Sequence, residues 1–333
     1  MKCSRLGKFV RTALLAGAAS MLAVAPTRAA SEIVVTHWSA LLYGVPYAIA
    51  QAKGYFKEEG VELSGILSSK GGGTSVRNLM AGETLYAEVA LPAALAAIKE
   101  GFPIRIINAG TDGSSGIYIT RDGEKIDKPE DLKGKRFAYS RPKSVSESGV
   151  IAALKSHGLK ASDAKLIAAG DIGAGITAME HNKVDVAIIP EPIFSTKMKE
   201  GAKYKPLPWF GKDVPRYTQT VGVATIETIE KRGKELAALI KARRRGVEFL
   251  HANPEETAKI LAKAYNMPLD IATSAMANAK AQTPTWWNPG RLDFEGMNNM
   301  SEALASVGAL ELPIDWKMAV DDRFVPADLK AMR

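Results

Sequence analysis

Residues 67–81 read LSSKGGGTSVRNLMA. An apolar run at 61–67 leads in and predicts a strand. Gly71, Gly72 and Gly73 follow. Thr74 and Ser75 then stand just before Val76, Leu79 and Met80, which recur at helical spacing and predict a helix over 75–81. Strand, glycine turn, hydroxyl cap, helix: that order points free backbone N–H groups and the positive end of a helix dipole at one spot. Such a spot suits a small anion or a hydrogen-bond-accepting ligand. A plain capped turn has the same spelling, so the function must be read from the rest of the chain.

The plan around this joint is written twice. In the first copy a strand at 33–35 ends in His37-Trp38-Ser39 and leads through Gly44 and Pro46 into a helix at 47–59, closed by Gly60. The strand at 61–67, the glycine joint and its helix follow. A third strand, 85–91, stops at Pro92. In the second copy a strand at 136–139 passes Ser140, Lys143, Ser144 and Ser146 into a helix at 147–157, closed by Gly158. A strand at 165–169, a glycine-rich joint from Gly170 to Gly175, and a helix at 176–181 come next. The third strand, 184–189, stops at Pro190-Glu191-Pro192.

Alternating strands and helices predict an α/β fold with a mostly parallel sheet in each copy. Ligands of such sheets sit at the carboxyl ends of the strands, so two lobes would face each other across a cleft. Further strands are expected at 104–109, 116–120 and 220–225, the last two as crossings between lobes. That places lobe one at 31–117 plus 223–333 and lobe two at 118–222. After 225 the chain turns helical, at 226–251, 254–265, 269–281 and 294–307, broken by a turn-rich stretch holding Pro284, Trp286, Trp287, Asn288 and Pro289. These helices are expected to return to the first lobe.

Residues 1–30 read as a leader rather than fold. Lys2, Arg5, Lys8 and Arg11 precede an apolar run at 12–25, then Pro26, with Thr27 and Ala29 spaced for cleavage near residue 30. The run is too short to span a bilayer comfortably. An exported, periplasmic protein is expected. The only cysteine is Cys3, inside the leader. The processed chain would therefore have no disulfide, thiolate metal site or cysteine nucleophile. The formal charge is +8, of which Lys2, Arg5, Lys8, Arg11 and Arg28 supply five. The remainder is mild. Lys241-Ala242-Arg243-Arg244-Arg245 is the one dense basic run, and it reads as a solvated helix face rather than a nucleic-acid patch. The length suits two domains.

Catalytic spelling is sparse. Of four histidines, His37, His157, His181 and His251, none pairs with another at metal-ligand spacing, and there is no G-x-S-x-G elbow or Walker loop. Gly173-Ala174-Gly175-Ile176-Thr177-Ala178 does match the G-x-G-x-x-A dinucleotide pattern. It lies in the second half of its lobe, however, and an exported protein has little access to NAD. No cofactor and no metal are expected.

Four stretches together resemble a known family: AQAKGYFKEEGVEL at 50–63, the glycine joint at 71–74, DLKGKR at 131–136 and KVDVAIIPEP at 183–192. They are similar to the periplasmic substrate-binding proteins of ABC importers of the nitrate/sulfonate/taurine type, a group that includes thiamine-pyrimidine-precursor binders. The resemblance implies a type II two-lobed fold with two crossover strands as a hinge that closes on ligand. Carried over by position, it implies ligand contacts from Trp38 and Tyr43, from Ser69, Gly72 and Thr74, from Ala90, and from Ser140, Ser144, Ser146 and Glu191. Arg141 follows a strand end and could pair with a carboxylate or sulfonate. Trp286 sits in a proline-rich loop that could reach the cleft mouth. Glu191 would oppose a bare anion and suit an amine or aminopyrimidine. The family implies a monomer that delivers its solute to an ABC permease in the inner membrane, with no nucleic-acid partner. The expected solute is a small organic anion such as a sulfonate or carboxylate, or a heteroaromatic. Two alternatives remain. One is a pyrimidine binder or synthase-like enzyme, although that synthase carries a cysteine-rich motif absent here. The other is a sensor that presents its ligand to a membrane receptor.

Overall fold

The structure is a computed structural model that describes residues 31–82, 84–114 and 116–330; the leader at 1–30 lies outside the described residues. Its strands are β1 (Ser31–Thr36), β2 (Leu63–Ser69), β3 (Thr84–Ala90), β4 (Ile104–Asp112), β5 (Gly116–Arg121), β6 (Arg136–Tyr139), β7 (Lys165–Ala168), β8 (Ala187–Pro190), β9 (Tyr204–Pro206) and β10 (Thr218–Thr225). The first sheet runs β2-β1-β3-β10-β4. Strand β1 is parallel to β2 and β3, whereas β10 is antiparallel to β3 and β4. In the second lobe β6 pairs in parallel with β7, and β5 is antiparallel to β8 and β9. A parallel bridge between Phe137 and Val186, with Ala138 N donating to Val186 O at 2.9 Å, joins the two pieces. The order there is therefore β7-β6-β8-β5-β9. Each lobe has the same order, and each takes its one antiparallel strand from the chain arriving from the other lobe. The duplication read from the sequence pattern is a duplication of topology.

The helices are α1 (Val45–Ala52), α2 (Tyr55–Glu58), α3 (Gly72–Met80), α4 (Leu91–Lys99), α5 (Val145–Ser156), α6 (Ile172–Glu180), α7 (Ile193–Lys199), α8 (Ile226–Ala252), α9 (Pro254–Ala264), α10 (Leu269–Gln282), α11 (Phe294–Ala305), α12 (Trp316–Ala319) and α13 (Ala327–Lys330). Among the described residues none is long and apolar enough to cross a membrane. The helix expected over 47–59 is two pieces, α1 and α2, because Gly54 takes φ +75° between them. Pro92 and Pro192 do more than stop strands. Each stands at the start of a helix, α4 and α7, where a missing N–H costs nothing. The helix expected from Ser75 begins three residues earlier, at Gly72, so Thr74 and Ser75 lie in its first turn rather than capping it.

The basic run at 241–245 is not a uniformly solvated face. Arg243 shares the buried stripe of α8 with Leu236, Leu239, Val247 and Leu250. Its guanidinium meets Glu88 of β3, Nε to Oε2 at 3.2 Å, with both side chains about 1% exposed. Nη1 donates to Asn288 O at 2.7 Å and Nη2 to Gly110 O at 2.6 Å. The Tyr47 hydroxyl donates to Glu88 Oε2 at 2.6 Å, and Thr220 Oγ1 donates to Oε1 at 2.9 Å. The other cations of the run are all paired: half-buried Arg244 with Asp328, half-buried Arg245 and exposed Lys241 with Glu59.

Removing one partner of a buried ion pair leaves the other charge without compensation. Glu88→Gln or Arg243→Met alone is therefore expected to lower stability by about 3–5 kcal/mol in urea unfolding. The double variant should lose clearly less than the sum of the two single losses.

Candidate functional site

A cavity of about 270 Å³ lies between the lobes. Its walls are the carboxyl ends of β1, β3 and β8, the joints after β2, β6 and β7 that begin α3, α5 and α6, and the start of α4, and Gln219 and Thr220 of β10 also line it. Eight of the twelve residues expected at a ligand site line it: Tyr43, Gly72, Thr74, Ala90, Ser140, Arg141, Ser144 and Ser146.

The glycine joint is shaped by a close approach. A Cβ on Gly72 would stand 2.6 Å from the Ala93 Cβ at the start of α4. Only glycine lets the two helix starts meet at the cavity edge. Ser75 points inward, its Oγ 2.5 Å from that of Ser69 and 2.6 Å from that of Thr36. Thr74 faces the cavity and accepts from Arg77 Nη2 at 3.1 Å. The opposite wall is a hydroxyl cluster at the start of α5. Ser144 Oγ accepts from Glu147 N at 3.2 Å, and Ser146 Oγ accepts from Ser140 N at 2.9 Å. Two helix N-termini thus face one space from opposite lobes, and their first N–H groups have no partner within the helix.

Charge around this space is uneven. Lys70, Arg77, Arg141 and Lys143 line it against the single carboxylate of Asp171, which is engaged as the N-cap of α6, accepting from Ala174 N at 2.8 Å. Arg141 reaches across the cleft. Its Nε donates to Gly170 O in its own lobe at 2.7 Å, and its Nη1 donates to Lys70 O in the other at 3.1 Å. His37, at the end of β1, is pushed down to about 4 by burial first and by the Arg141 charge second. It is neutral at pH 7. Burial holds the Tyr43 phenol well above its ordinary range, so it stays neutral too. Leu41, Tyr43 and Ile188 supply apolar wall. The arrangement can hold anionic oxygens between N–H groups, hydroxyls and a guanidinium while an apolar body rests on the other side.

Four expected residues lie elsewhere. Trp38 packs edge-on against Tyr265, centroids 5.4 Å apart, with its ring over Gly44. Ser69 sits behind the glycine joint, bonded to Ser75. Trp286 is fully buried rather than at the mouth. Its Nε1 donates to Gln219 Oε1 at 3.0 Å, and its ring lies 5.4 Å from that of Tyr43, so it backs two lining residues from behind. Glu191 is fully buried and accepts from Ser195 N at 3.2 Å and from Asn278 Nδ2 at 2.7 Å. It fastens the β8–α7 joint to α10. The sequence places Arg77, like Arg141, on a cleft loop, and it does line the cavity. Sequence reasoning missed His37, Lys70, Lys143, Asp171 and the two β10 residues as lining groups. Lys70, beside the glycine joint, was within reach of the same reading; Gln219 and Thr220 were not, because a strand pattern does not say what lies over it.

The family model described as NMT1/THI5 like matches residues 43–257. A 4-amino-5-hydroxymethyl-2-methylpyrimidine phosphate synthase of Aspergillus parasiticus is 30% identical over 167 residues, 46% of this chain and 47% of that protein. The chain thus spans about half the length of that relative. The riboflavin-binding protein RibY of Chloroflexus aurantiacus is 23% identical over 320 residues, 84% of this chain and 82% of that protein. Among solved structures, the alkanesulfonate-binding protein SsuA of Xanthomonas axonopodis pv. citri, bound to MOPS, superposes with a TM-score of 0.71 at 14% identity, covering 90% of this chain and 100% of that one. The fold is the two-lobed one of the periplasmic binding proteins.

Two outcomes follow from this geometry. Gly72→Ala is expected to cost about 1–3 kcal/mol by forcing α3 from α4, and adding Ala93→Gly should recover part of it in thermal unfolding. Folding lowers the His37 pKa from 6.5 to about 4. Above pH 6.5 both states are neutral there and the group contributes nothing. As pH falls below 6.5 the unfolded chain takes the proton first, so stability is lost down to about pH 4, by up to about 3 kcal/mol. In His37→Asn, chosen because the backbone there has φ +57°, stability measured over that window should fall less steeply by that amount.

Proposed function

We propose that this chain, which belongs to the NMT1/THI5-like family, is the extracytoplasmic solute-binding component of an ABC importer, and that it captures a small organic anion between its lobes. The observation that carries the reading is the meeting of two helix starts across one cavity, rimmed by four cationic side chains and one already engaged carboxylate. A sulfonate or carboxylate head would be gripped at Gly72–Thr74 and Ser144–Ser146, under Arg141. Its body would rest on Tyr43, Leu41 and Ile188. Arg141 already touches both lobes, so a ligand beneath it would favour the closed arrangement. The leader read at 1–30 supports export, and the binding-protein fold supports a permease as the receiving partner.

An aminopyrimidine fits less well, because the Glu191 carboxylate that would receive its amine is turned away into the α10 contact. The relative named as a pyrimidine phosphate synthase favours an enzymatic second reading. Thiol chemistry in that reading would have to come from Cys3, the only cysteine in the sequence.

Thermal shift on leaderless protein tests these readings, with hexanesulfonate, MOPS, benzoate, nitrate and an aminopyrimidine as probes. A ligand at about a hundred times its Kd should add roughly 2.7 kcal/mol to the folded state. One of the organic anions is expected to do so. Arg141→Ala should weaken that binding about tenfold or more, as loss of a charge-assisted hydrogen bond does. A response to the aminopyrimidine alone would overturn the anion reading, and turnover of a pyrimidine precursor would replace the binding role with an enzymatic one.

A further inference from the structure

A second cavity, of about 220 Å³, lies beside the hinge. One wall is a face of α5 in the second lobe, with Ser148, Ala152, Lys155 and Ser156 at helical spacing. Another is α11, which packs with the first lobe and brings Asn299, Met300, Glu302 and Ala303. The third is the segment entering β10, from Asp213 to Tyr217. It shares no lining residue with the first cavity. The Tyr217 side chain stands between them, with its hydroxyl beside Ser114, which lines the first. Three walls from both lobes and the return crossing make this a space whose shape depends on how the lobes are set.

Its chemistry differs from that of the cleft. Ala152, Val214, Pro215, Met300, Ala303 and the Tyr217 ring make the walls mainly apolar. The charges are Lys155, Glu302 and Asp213, and Lys155 is spent on Glu302, Nζ to Oε2 at 3.4 Å, across the rim. An anion would therefore meet an unbalanced carboxylate. Ser148 is buried and its hydroxyl already donates to Ser144 O at 3.1 Å, so the oxygen it shows a guest is an acceptor. An apolar cavity of about 150 Å³ is enough to take benzene; this one has room for a ring and one substituent.

We propose that this hinge-side cavity is a second small-molecule site, for a neutral single- or fused-ring aromatic that carries one hydrogen-bond donor, and that its occupant clasps α5 to α11. The ring fills the space between Ala152 and Met300, and the donor finds Ser148 Oγ or the Asp213 carboxylate. Because the walls belong to both lobes, the occupant stabilises the relative setting seen here by its differential contact with it. The inference does not depend on which solute enters the cleft.

Isothermal titration of leaderless protein with phenol and with indole tests it, with benzoate as the anionic control. Phenol and indole are expected to bind saturably, and benzoate at this site at least about tenfold more weakly. Ala152→Phe fills the cavity and should weaken phenol by at least about tenfold, while Ala152→Ser keeps it. Hydrogen exchange on the unaltered protein gives an independent reading: phenol should slow exchange in both α5 and α11 and leave α3, on the first cavity, unchanged. Absence of saturable phenol and indole binding overturns the proposal. So does binding that survives in a folded Ala152→Phe protein, or protection confined to α3.

Discussion

One buried charge pair holds the first lobe in register with everything that crosses it. Glu88 sits on β3, in the middle of the sheet, and its carboxylate is engaged by Arg243 of α8, Tyr47 of α1 and Thr220 of β10. Arg243 in turn reaches the carbonyls of Gly110 on β4 and Asn288 in the aromatic break. Six segments far apart in sequence are thereby given one mutual arrangement. Desolvating two charges is expensive, so such a pair is weak support for net stability. Its effect here is selective: any arrangement that separates these segments leaves a charge stranded in an apolar interior. The strand it fixes, β10, is the one that brings Gln219 and Thr220 beneath the cleft.

The cleft itself follows from repeating one topology. In each sheet the strand arriving from the other lobe is inserted antiparallel beside the third strand. The carboxyl ends of the parallel strands then open toward the same space, and with them the joints that begin α3 and α5. The pairing of two helix starts is thus a property of the duplicated connection, whereas the positive charge around it comes from side chains on the joints: Lys70, Arg77, Arg141 and Lys143.

Much of this was legible in the sequence where local pattern decides it. Strand positions, the four long helices after residue 225 and the doubled plan all depend on periodicity and on glycine or proline punctuation. Seven of the eight lining residues were expected because the family resemblance places ligand contacts at these strand ends and helix starts, and Arg141 because it follows a strand end. What failed depends on distant partners. Arg243 was read with its charged neighbours, while the helical stripe that carries it inward was outweighed by the run. Trp286 and Glu191 were placed by their loops, yet each is held by a group far along the chain, Gln219 and Asn278. Pro92 and Pro192 were read as ends because a proline marks a break equally well whether a helix follows or not.

The insertion of β10 between β3 and β4 also orders events in time. Strands β5 to β9 are continuous in the chain, so the second lobe has all the strands of its sheet once Pro206 has emerged. The first lobe has no such independence. Its strands β3 and β4 face one another across an empty slot until Thr218–Thr225 arrives, more than a hundred residues after β4 is made. During synthesis, two long apolar edges therefore remain open to wrong pairing. The late part of the chain does not merely decorate a finished lobe; it supplies the strand that closes it.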